Sequence, residues 1–146
     1  MLKILVLHGP NMNLLGKREP ALYGHRDFAA LCDCIRTWAA ELDMEVTLYQ
    51  SNHEGDLVDK IQEADGQYDG ILINAAAYSH TSVAILDALK AVGLPTAEVH
   101  LTDIQSREPF RRFSYVSQYA FVTVTGKGFE GYRIALEEMK KKLSGE

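Results

Sequence analysis

The chain has 146 residues, which suits one compact domain over residues 1–146, and its hydrophobic fraction of 47% excludes a disordered chain. The net charge of −5 comes with no stripe of basic residues, so nucleic acid and membrane surfaces are not expected as partners. The two cysteines, Cys32 and Cys34, form neither a CxxC pair nor a metal knuckle, which indicates reduced thiols and a cytoplasmic location.

Predicted strands and helices alternate along the chain. The first strand, at residues 2–7, is almost continuously apolar, as expected for a strand that is buried on both faces, and it is too short to cross a bilayer. A long polar loop follows over residues 9–24. Apolar residues at steps of three and four then predict a helix from Phe28 to Leu42, and a second strand follows at residues 44–49.

The alternation continues to the end of the chain. The remaining elements are predicted to be a helix around residues 57–64, a strand at 71–73, a helix that ends near 92, a strand at 96–101, an irregular segment at 102–117, a strand at 119–124 and a helix at 129–143. Thr81 or Ser82 is expected to cap the third helix. This order predicts an α/β fold: a single flavodoxin-like domain with a five-stranded parallel sheet, order 2-1-3-4-5, and helices on both faces.

The third predicted helix is apolar on nearly every side. Between Val83 and Val92 only Asp87 and Lys90 are polar. A helix of this kind is usually buried on more than one side. In so small a protein the second side is expected to be covered by another subunit.

Polar side chains collect where the predicted strands end. The carboxyl ends of parallel strands form the edge of the sheet at which ligands bind. The side chains brought to this edge are His8, Asn11, Asn13, Asn74, His80, Glu98 and His100. A turn, a helix cap or a hydrogen bond explains any one of them, but together they predict a ligand site.

Several known kinds of site do not fit this pattern. The loop after the first strand contains neither G-x-G-x-x-G nor a Walker A sequence, and a receiver domain would need acidic residues where this chain has His8 and Asn74. A zinc site built from His8, His80 and His100 stays open as a minor alternative, although no metal-ligand spacing supports it.

Three blocks of sequence stand at the ends of predicted strands. They are residues 7–20 (LHGPNMNLLGKREP) with Tyr23-Gly24, Asn74 with residues 78–84 (YSHTSVA), and residues 98–101 (EVHL) with residues 107–111 (REPFR). Together they resemble the type II 3-dehydroquinate dehydratases. The order of elements matches as well, so the resemblance covers essentially the whole chain.

The resemblance implies a chemistry. Members of this family remove water from 3-dehydroquinate by trans elimination through an enolate, without metal or cofactor. By position, Tyr23 would be the base that takes the C2 proton, and Arg18 would hold it as a phenolate. His100, oriented by Glu98, would be the acid that protonates the leaving C1 hydroxyl. Asn11 would help to hold the water that stabilises the enolate.

The resemblance also implies a binding site and an assembly. The groups that would bind the hydroxyls and the carboxylate of the substrate are Asn74, His80, Arg111 and the backbone amides of Leu101 and Thr102. Asp87 would reach the site of a neighbouring subunit in a homododecamer, a tetramer of trimers. This arrangement agrees with the apolar character of its helix.

The sequence departs from the family pattern at a few positions. His8 stands where asparagine is common, Ala76 where glycine is common, and Asp103 and Gln105 where asparagine and histidine are frequent. None of these is the proposed base or acid. The alternatives are a non-catalytic flavodoxin-like module that binds a small polyhydroxy acid and, third, a zinc hydrolase.

Overall fold

A computed structural model describes residues 1–17 and 26–146. In these residues the chain forms a five-stranded parallel sheet in the order β2-β1-β3-β4-β5. The strands are β1 (Leu2–His8), β2 (Met44–Gln50), β3 (Gly70–Asn74), β4 (Thr96–His100) and β5 (Val122–Thr125). The predicted α/β fold and strand order are confirmed.

Helices connect the strands. The α-helices of the described residues are α1 (Phe28–Glu41), α2 (Glu54–Glu63), α3 (Val83–Val92) and α4 (Glu130–Leu143). Short 3₁₀ turns follow β1 at Met12–Leu14 and β3 at Ala76–His80. The predicted gap between the fourth and fifth strands holds three more of them, Ile104–Ser106, Pro109–Arg111 and Val116–Gln118.

Apolar side chains of the strands alternate between two layers, because successive residues of a strand point to opposite faces. One layer joins Ile4 and Val6 of β1 to α1 and α4, and the other joins Leu5 and Leu7 to α2 and α3. Both faces of the sheet are therefore covered. This arrangement explains why the strands read as continuous apolar runs rather than as alternating ones.

The third helix begins and ends where its sequence directs. The Ser82 side chain accepts a hydrogen bond from the Ile85 amide at 2.9 Å, so Ser82 rather than Thr81 is the N-cap. Gly93, with φ of 75°, ends the helix in the left-handed conformation that glycine adopts without strain.

The exposed face of α3 leaves one prediction open. Ile85 and Leu89 pack into the core, whereas Ala84, Asp87 and Ala91 are exposed, and Val83 keeps 47% of its surface accessible. Within one chain the helix is thus covered on one side only. Burial of its second side by another subunit stays a prediction.

The predicted start of the fifth strand at Tyr119 is wrong. The amides of Tyr119 and Ala120 both donate to the carbonyl of Val116 at 3.0 Å, so they belong to a turn. Strand pairing begins only at Val122, opposite Ala97. Among residues 1–17 and 26–146, no helix is long and apolar enough to span a bilayer.

Candidate active site

A cleft of about 140 Å³ opens at the carboxyl edge of the sheet. Its wall contains many of the residues predicted from the sequence: Asn11, Asn74, His80, His100, Leu101, Thr102 and Arg111. They come from the ends of β1, β3 and β4 and from the turns that follow these strands. The parallel sheet therefore brings together side chains that lie up to 100 residues apart in the sequence.

The first loop of the cleft depends on a glycine. The amide of Gly9 donates to the carbonyl of Asn74 at 2.8 Å. A Cβ at this position would lie 2.1 Å from the carbonyl oxygen of Ala75, so no larger residue fits. The loop after β1 is thereby held against the loop after β3.

Asn11 is held in a conformation that few residue types adopt. Its φ is 68°, in the left-handed region where asparagine is tolerated. Its backbone amide donates to Asn52 Oδ1 at 2.9 Å. Nε2 of Gln50 in turn donates to the side-chain oxygens of both Asn52 and Asn13. Asn13, which the sequence placed at the same edge, therefore supports the loop and does not line the cleft.

The Asn74 carboxamide is oriented by the protein itself. Its Nδ2 donates to Tyr132 Oη at 3.1 Å, and its Oδ1 accepts from the Ala76 amide at 3.1 Å. An amide nitrogen has two N–H groups, so one is left for a ligand in the cleft. Ala76 itself has φ of 53°, in the left-handed region that glycine would adopt without strain.

His80 has one ring nitrogen fixed by the backbone. Its Nδ1 lies 2.8 Å from the carbonyl oxygen of Phe113, which only accepts, so Nδ1 carries a proton. Burial lowers the pKa of His80, whereas the hydrogen bond to Phe113 raises it. The nearby His100 and Arg111 lower it further, so the net shift is downward. The neutral ring then presents Nε2 as an acceptor.

Glu98 and His100 form a buried pair at the cleft, with His100 in the wall and Glu98 behind it. They are two residues apart on β4 and so share a face of the sheet. His100 Nε2 donates to Glu98 Oε2 at 2.5 Å, and Glu98 is 0% exposed. Burial raises the pKa of the Glu98 carboxyl, but hydrogen bonds from His100, Ser114 and Ser117 more than offset this and lower it overall.

Hydroxyl groups surround the rest of the Glu98 carboxylate. Ser114 Oγ donates to Oε2 at 2.5 Å, Thr123 Oγ1 donates to Oε1 at 3.0 Å, and Ser117 Oγ also donates to Oε1. Sequence reasoning did not find these three residues. The available signal was indirect: a carboxylate on a fully buried strand requires donors from elsewhere in the chain.

Two arginines give the cleft positive charge. Arg107 Nη1 donates to Thr102 Oγ1 at 3.2 Å, and Arg111 Nε lies 3.2 Å from Glu108 Oε1. Both line the cleft, although the sequence singled out only Arg111. Glu108 Oε1 also lies 3.4 Å from Arg107 Nε, so the two guanidinium groups share one carboxylate and keep one net positive charge at the cleft.

The comparisons with known proteins agree with this geometry. The family model described as dehydroquinase class II matches residues 2–140. The chain belongs to the class II dehydroquinase family. It is 51% identical to the 3-dehydroquinate dehydratase of Nostoc sp., covering 99% of this chain and 98% of that one. It is 55% identical to the enzyme of that name from Bordetella petrii, covering 92% and 94%.

Solved structures of the dehydroquinase family share the fold. The type II dehydroquinase from Butyrivibrio crossotus superposes with a TM-score of 0.92 at 42% identity, covering 94% of this chain and 97% of that one. The one from Propionibacterium acnes has the same TM-score at 37% identity, covering 97% of both chains.

Some residues predicted from the dehydroquinase pattern lie outside the cleft wall. Glu98 is behind His100, and Asp87 is exposed on α3, so neither is among the described residues that line the cleft. Arg18 and Tyr23 lie outside the described residues. Their predicted roles as phenolate partner and base stay predictions.

The zinc site left open by the sequence does not form. His8 is fully buried, with its ring centroid 5.0 Å from that of Phe28 and 5.6 Å from that of Tyr132. Among residues 1–17 and 26–146, no three His, Cys, Asp or Glu side chains converge as a metal site requires. His8, His80 and His100 therefore do not form a metal-binding set.

Proposed function

We propose that the protein eliminates water from 3-dehydroquinate to give 3-dehydroshikimate, as a hydro-lyase of the shikimate pathway that needs no cofactor. The observation that carries this proposal is His100, which lines a cleft that also holds arginines and is hydrogen-bonded to the buried Glu98 behind it. Family membership and relatives named 3-dehydroquinate dehydratase support the choice of substrate.

His100 is proposed as the acid. Because Nε2 donates to Glu98, Nδ1 is the ring nitrogen left for the C1 hydroxyl of the substrate. A donor at Nδ1 together with a proton on Nε2 makes the ring an imidazolium, and the adjacent carboxylate stabilises that cation. Glu98 thus acts through His100 and does not touch the substrate.

Tyr23 is proposed as the base, with Arg18 as its partner. A free tyrosine has a pKa of about 10, so a phenolate at neutral pH costs roughly 4 kcal/mol unless a cation offsets it. The guanidinium of Arg18 is permanently charged and is only five residues away in the sequence. This part of the proposal rests on the sequence and on the family resemblance.

The remaining cleft groups are proposed to bind the substrate and the enolate. Asn11 would hold the water that stabilises the enolate oxygen, and Asn74 and His80 would bind hydroxyl groups. Arg111 and the backbone amides of Leu101 and Thr102 would hold the carboxylate. Fixed N–H donors and a cation suit this task because they need no reorganisation when charge develops.

The proposal includes a homododecamer, a tetramer of trimers, in the cytoplasm. The exposed apolar residues of α3 supply a surface for subunit contact, and Asp87 on the same face would reach a neighbouring active site. Both cysteines are free, which fits a reducing compartment.

The activity is tested by adding 3-dehydroquinate to the purified protein and following the absorbance of the conjugated enone of the product. We expect the absorbance to rise at a rate proportional to protein concentration. Binding of substrate with no rise in absorbance would instead support the non-catalytic binding module.

The base is tested with Tyr23→Phe, which removes only the phenolic oxygen. Turnover should fall by about 10²- to 10⁴-fold, the loss expected for a positioned base, while product still binds. Exchange of the C2 proton with deuterium should stop in Tyr23→Phe and persist in His100→Ala, because enolate formation needs the base but not the acid. Near-normal turnover of Tyr23→Phe would place the base elsewhere.

A further inference from the structure

The Glu98 carboxylate is saturated with donors. Its two oxygens accept from His100 Nε2 and from the hydroxyls of Ser114, Ser117 and Thr123. Two carboxylate oxygens offer about four lone-pair sites, so these donors use all of them. None of the three hydroxyl residues lines the cleft among the described residues, so none is placed to touch substrate.

We propose that Ser114, Ser117 and Thr123 are positioning residues, whose hydroxyls fix the Glu98 carboxylate and thereby hold His100 in the orientation that delivers its proton to the leaving hydroxyl. This inference rests on the proposed role of His100 as the acid. We call the three residues the hydroxyl cage.

The hydroxyl cage separates Glu98 from water. A second groove of about 350 Å³ lies on the outer side of the cage, and all three cage residues line it, together with Arg112. Glu98 does not line that groove and is 0% exposed. The hydroxyls therefore replace solvent as partners of a charge that would be very costly to bury alone.

The cage also decides where the proton resides. An ionised carboxylate only accepts hydrogen bonds, so it satisfies four donors at once, whereas a protonated carboxyl would need an acceptor of its own. The cage thus favours Glu98 as the anion and leaves the proton on His100. Without the cage, Glu98 would compete for that proton, and the ring would be free to turn.

Three cage variants and one control test this inference. Thr123→Val removes the hydroxyl at nearly constant volume, whereas Thr123→Ser keeps it; Thr123 is exposed on a strand at the edge of the sheet, so both variants should fold. Ser114→Ala removes the hydroxyl donor to Glu98 Oε2 and leaves the bond from His100 to the same oxygen. Ser106→Ala is the control, because it removes a hydroxyl from the same stretch of chain that donates instead to Asp103.

We expect kcat to fall about 10-fold or more in Ser114→Ala and in Thr123→Val, the factor expected for losing one hydrogen bond to a charged group. Thr123→Ser should restore most of the rate, and Ser106→Ala should match the wild type. KM and C2 deuterium exchange should change less than about twofold, because the cage does not touch the substrate or the base. In nuclear magnetic resonance spectra the Nε2–H signal of His100 should shift in the two slow variants only.

The outcomes separate this inference from the proposed function. A wild-type protein that dehydrates the substrate, with Ser114→Ala and Thr123→Val equally fast, would overturn the cage and leave the function standing. Equal losses in dehydration and in C2 exchange would also overturn it, since they would indicate a general structural defect. A wild-type protein without dehydratase activity would overturn the proposed function and the inference with it.

Discussion

Three histidines of this chain show how the partners of a side chain decide its chemistry. His8 is fully buried, and burial lowers its pKa to about 3, so it stays neutral. His80 is tied to the carbonyl of Phe113, which fixes its tautomer. His100 alone of the three donates to a carboxylate, and a carboxylate is the partner that stabilises an imidazolium. Of the three, His100 is therefore the one that we propose as the acid.

His8→Phe should make the protein more stable. Neither ring nitrogen of His8 has a hydrogen-bond partner among the described residues. A buried polar group without a partner costs about 1–3 kcal/mol, so replacing the ring by an apolar one of similar shape should raise the free energy of unfolding by up to about that amount at pH 7. Urea denaturation measures this change, and a large loss of stability would contradict it.

The same variant should be less sensitive to acid. Between pH 6.5 and about 3 the unfolded chain protonates His8 and the folded chain does not, so stability falls as the pH falls. This group alone contributes about 1.4 kcal/mol per pH unit in that window. The free energy of unfolding should therefore change less steeply with pH in His8→Phe than in the wild type. His53→Gln, a change at an exposed histidine, should keep the pH dependence that His8 causes.

At the residue scale, the sequence predicts the Glu98–His100 pair but not its cage. Residues two apart on a strand share a face, so the two side chains can touch, and the resemblance to the family adds that Glu98 orients His100. Ser114 and Ser117 belong to a segment without periodicity, and Thr123 reaches Glu98 because the two are register partners across β4 and β5. Strand register between these elements cannot be read from the amino-acid sequence.

At the element scale, the start of α3 provides a matched pair of variants. Ser82→Ala removes the side chain that caps the Ile85 amide and should lower the free energy of unfolding by about 1 kcal/mol. Thr81→Ala changes the exposed residue just before the cap, and its effect should stay within about 0.5 kcal/mol. Denaturant unfolding measures the change in the free energy of unfolding of both variants. A larger loss in Thr81→Ala than in Ser82→Ala would indicate that Thr81 is the N-cap.

Element boundaries were predictable where a cap or a breaker residue marks them, as at Ser82 and Gly93. They were not predictable in the stretch between β4 and β5, where short turns replace a helix. There the amides of Tyr119 and Ala120 bond back to Val116, and the choice between such a turn and a strand is made by tertiary contacts. One such contact is the hydrogen bond from Tyr119 Oη to the Leu94 carbonyl at 2.9 Å.

At the scale of the whole molecule, the exposed apolar face of α3 should bind other subunits. Light scattering should give a mass about twelve times the 16.3 kDa of one chain. Val83→Glu places a charge in this surface and should yield smaller, less active particles. Thr37→Glu, an exposed change on α1 across the sheet, should leave the mass unchanged. A fully active wild-type monomer would exclude both the assembly and the role of Asp87 in a neighbouring site.

The order of the whole sheet was predictable because alternating strands and helices admit few arrangements in a chain of this length. The position of the cleft was predictable for the same reason, since this order brings the carboxyl ends of the strands together. The arginine at position 107 was not predicted, because its place in the wall depends on the irregular path of the chain after β4. Topology thus locates the site, and local irregular structure completes it.

The distribution of lysines over the molecule bears on the mechanism. A dehydration of this type can also proceed through a Schiff base, which requires a lysine desolvated in the active site. All eight lysines of the sequence fall in the part of the chain that the structure describes, and none of them lines the cleft. Most are exposed, and the two partly buried ones, Lys60 and Lys140, lie on α2 and α4.

Borohydride added together with 3-dehydroquinate should therefore neither inactivate the protein nor increase its mass, because no imine is available for reduction. Mass spectrometry of the intact chain after the reaction measures this directly. Treatment without substrate is the control, since it reveals any unspecific loss of activity. A substrate adduct retained on one lysine, with activity lost in proportion, would replace the phenolate mechanism with a covalent one and would require that lysine to enter the cleft.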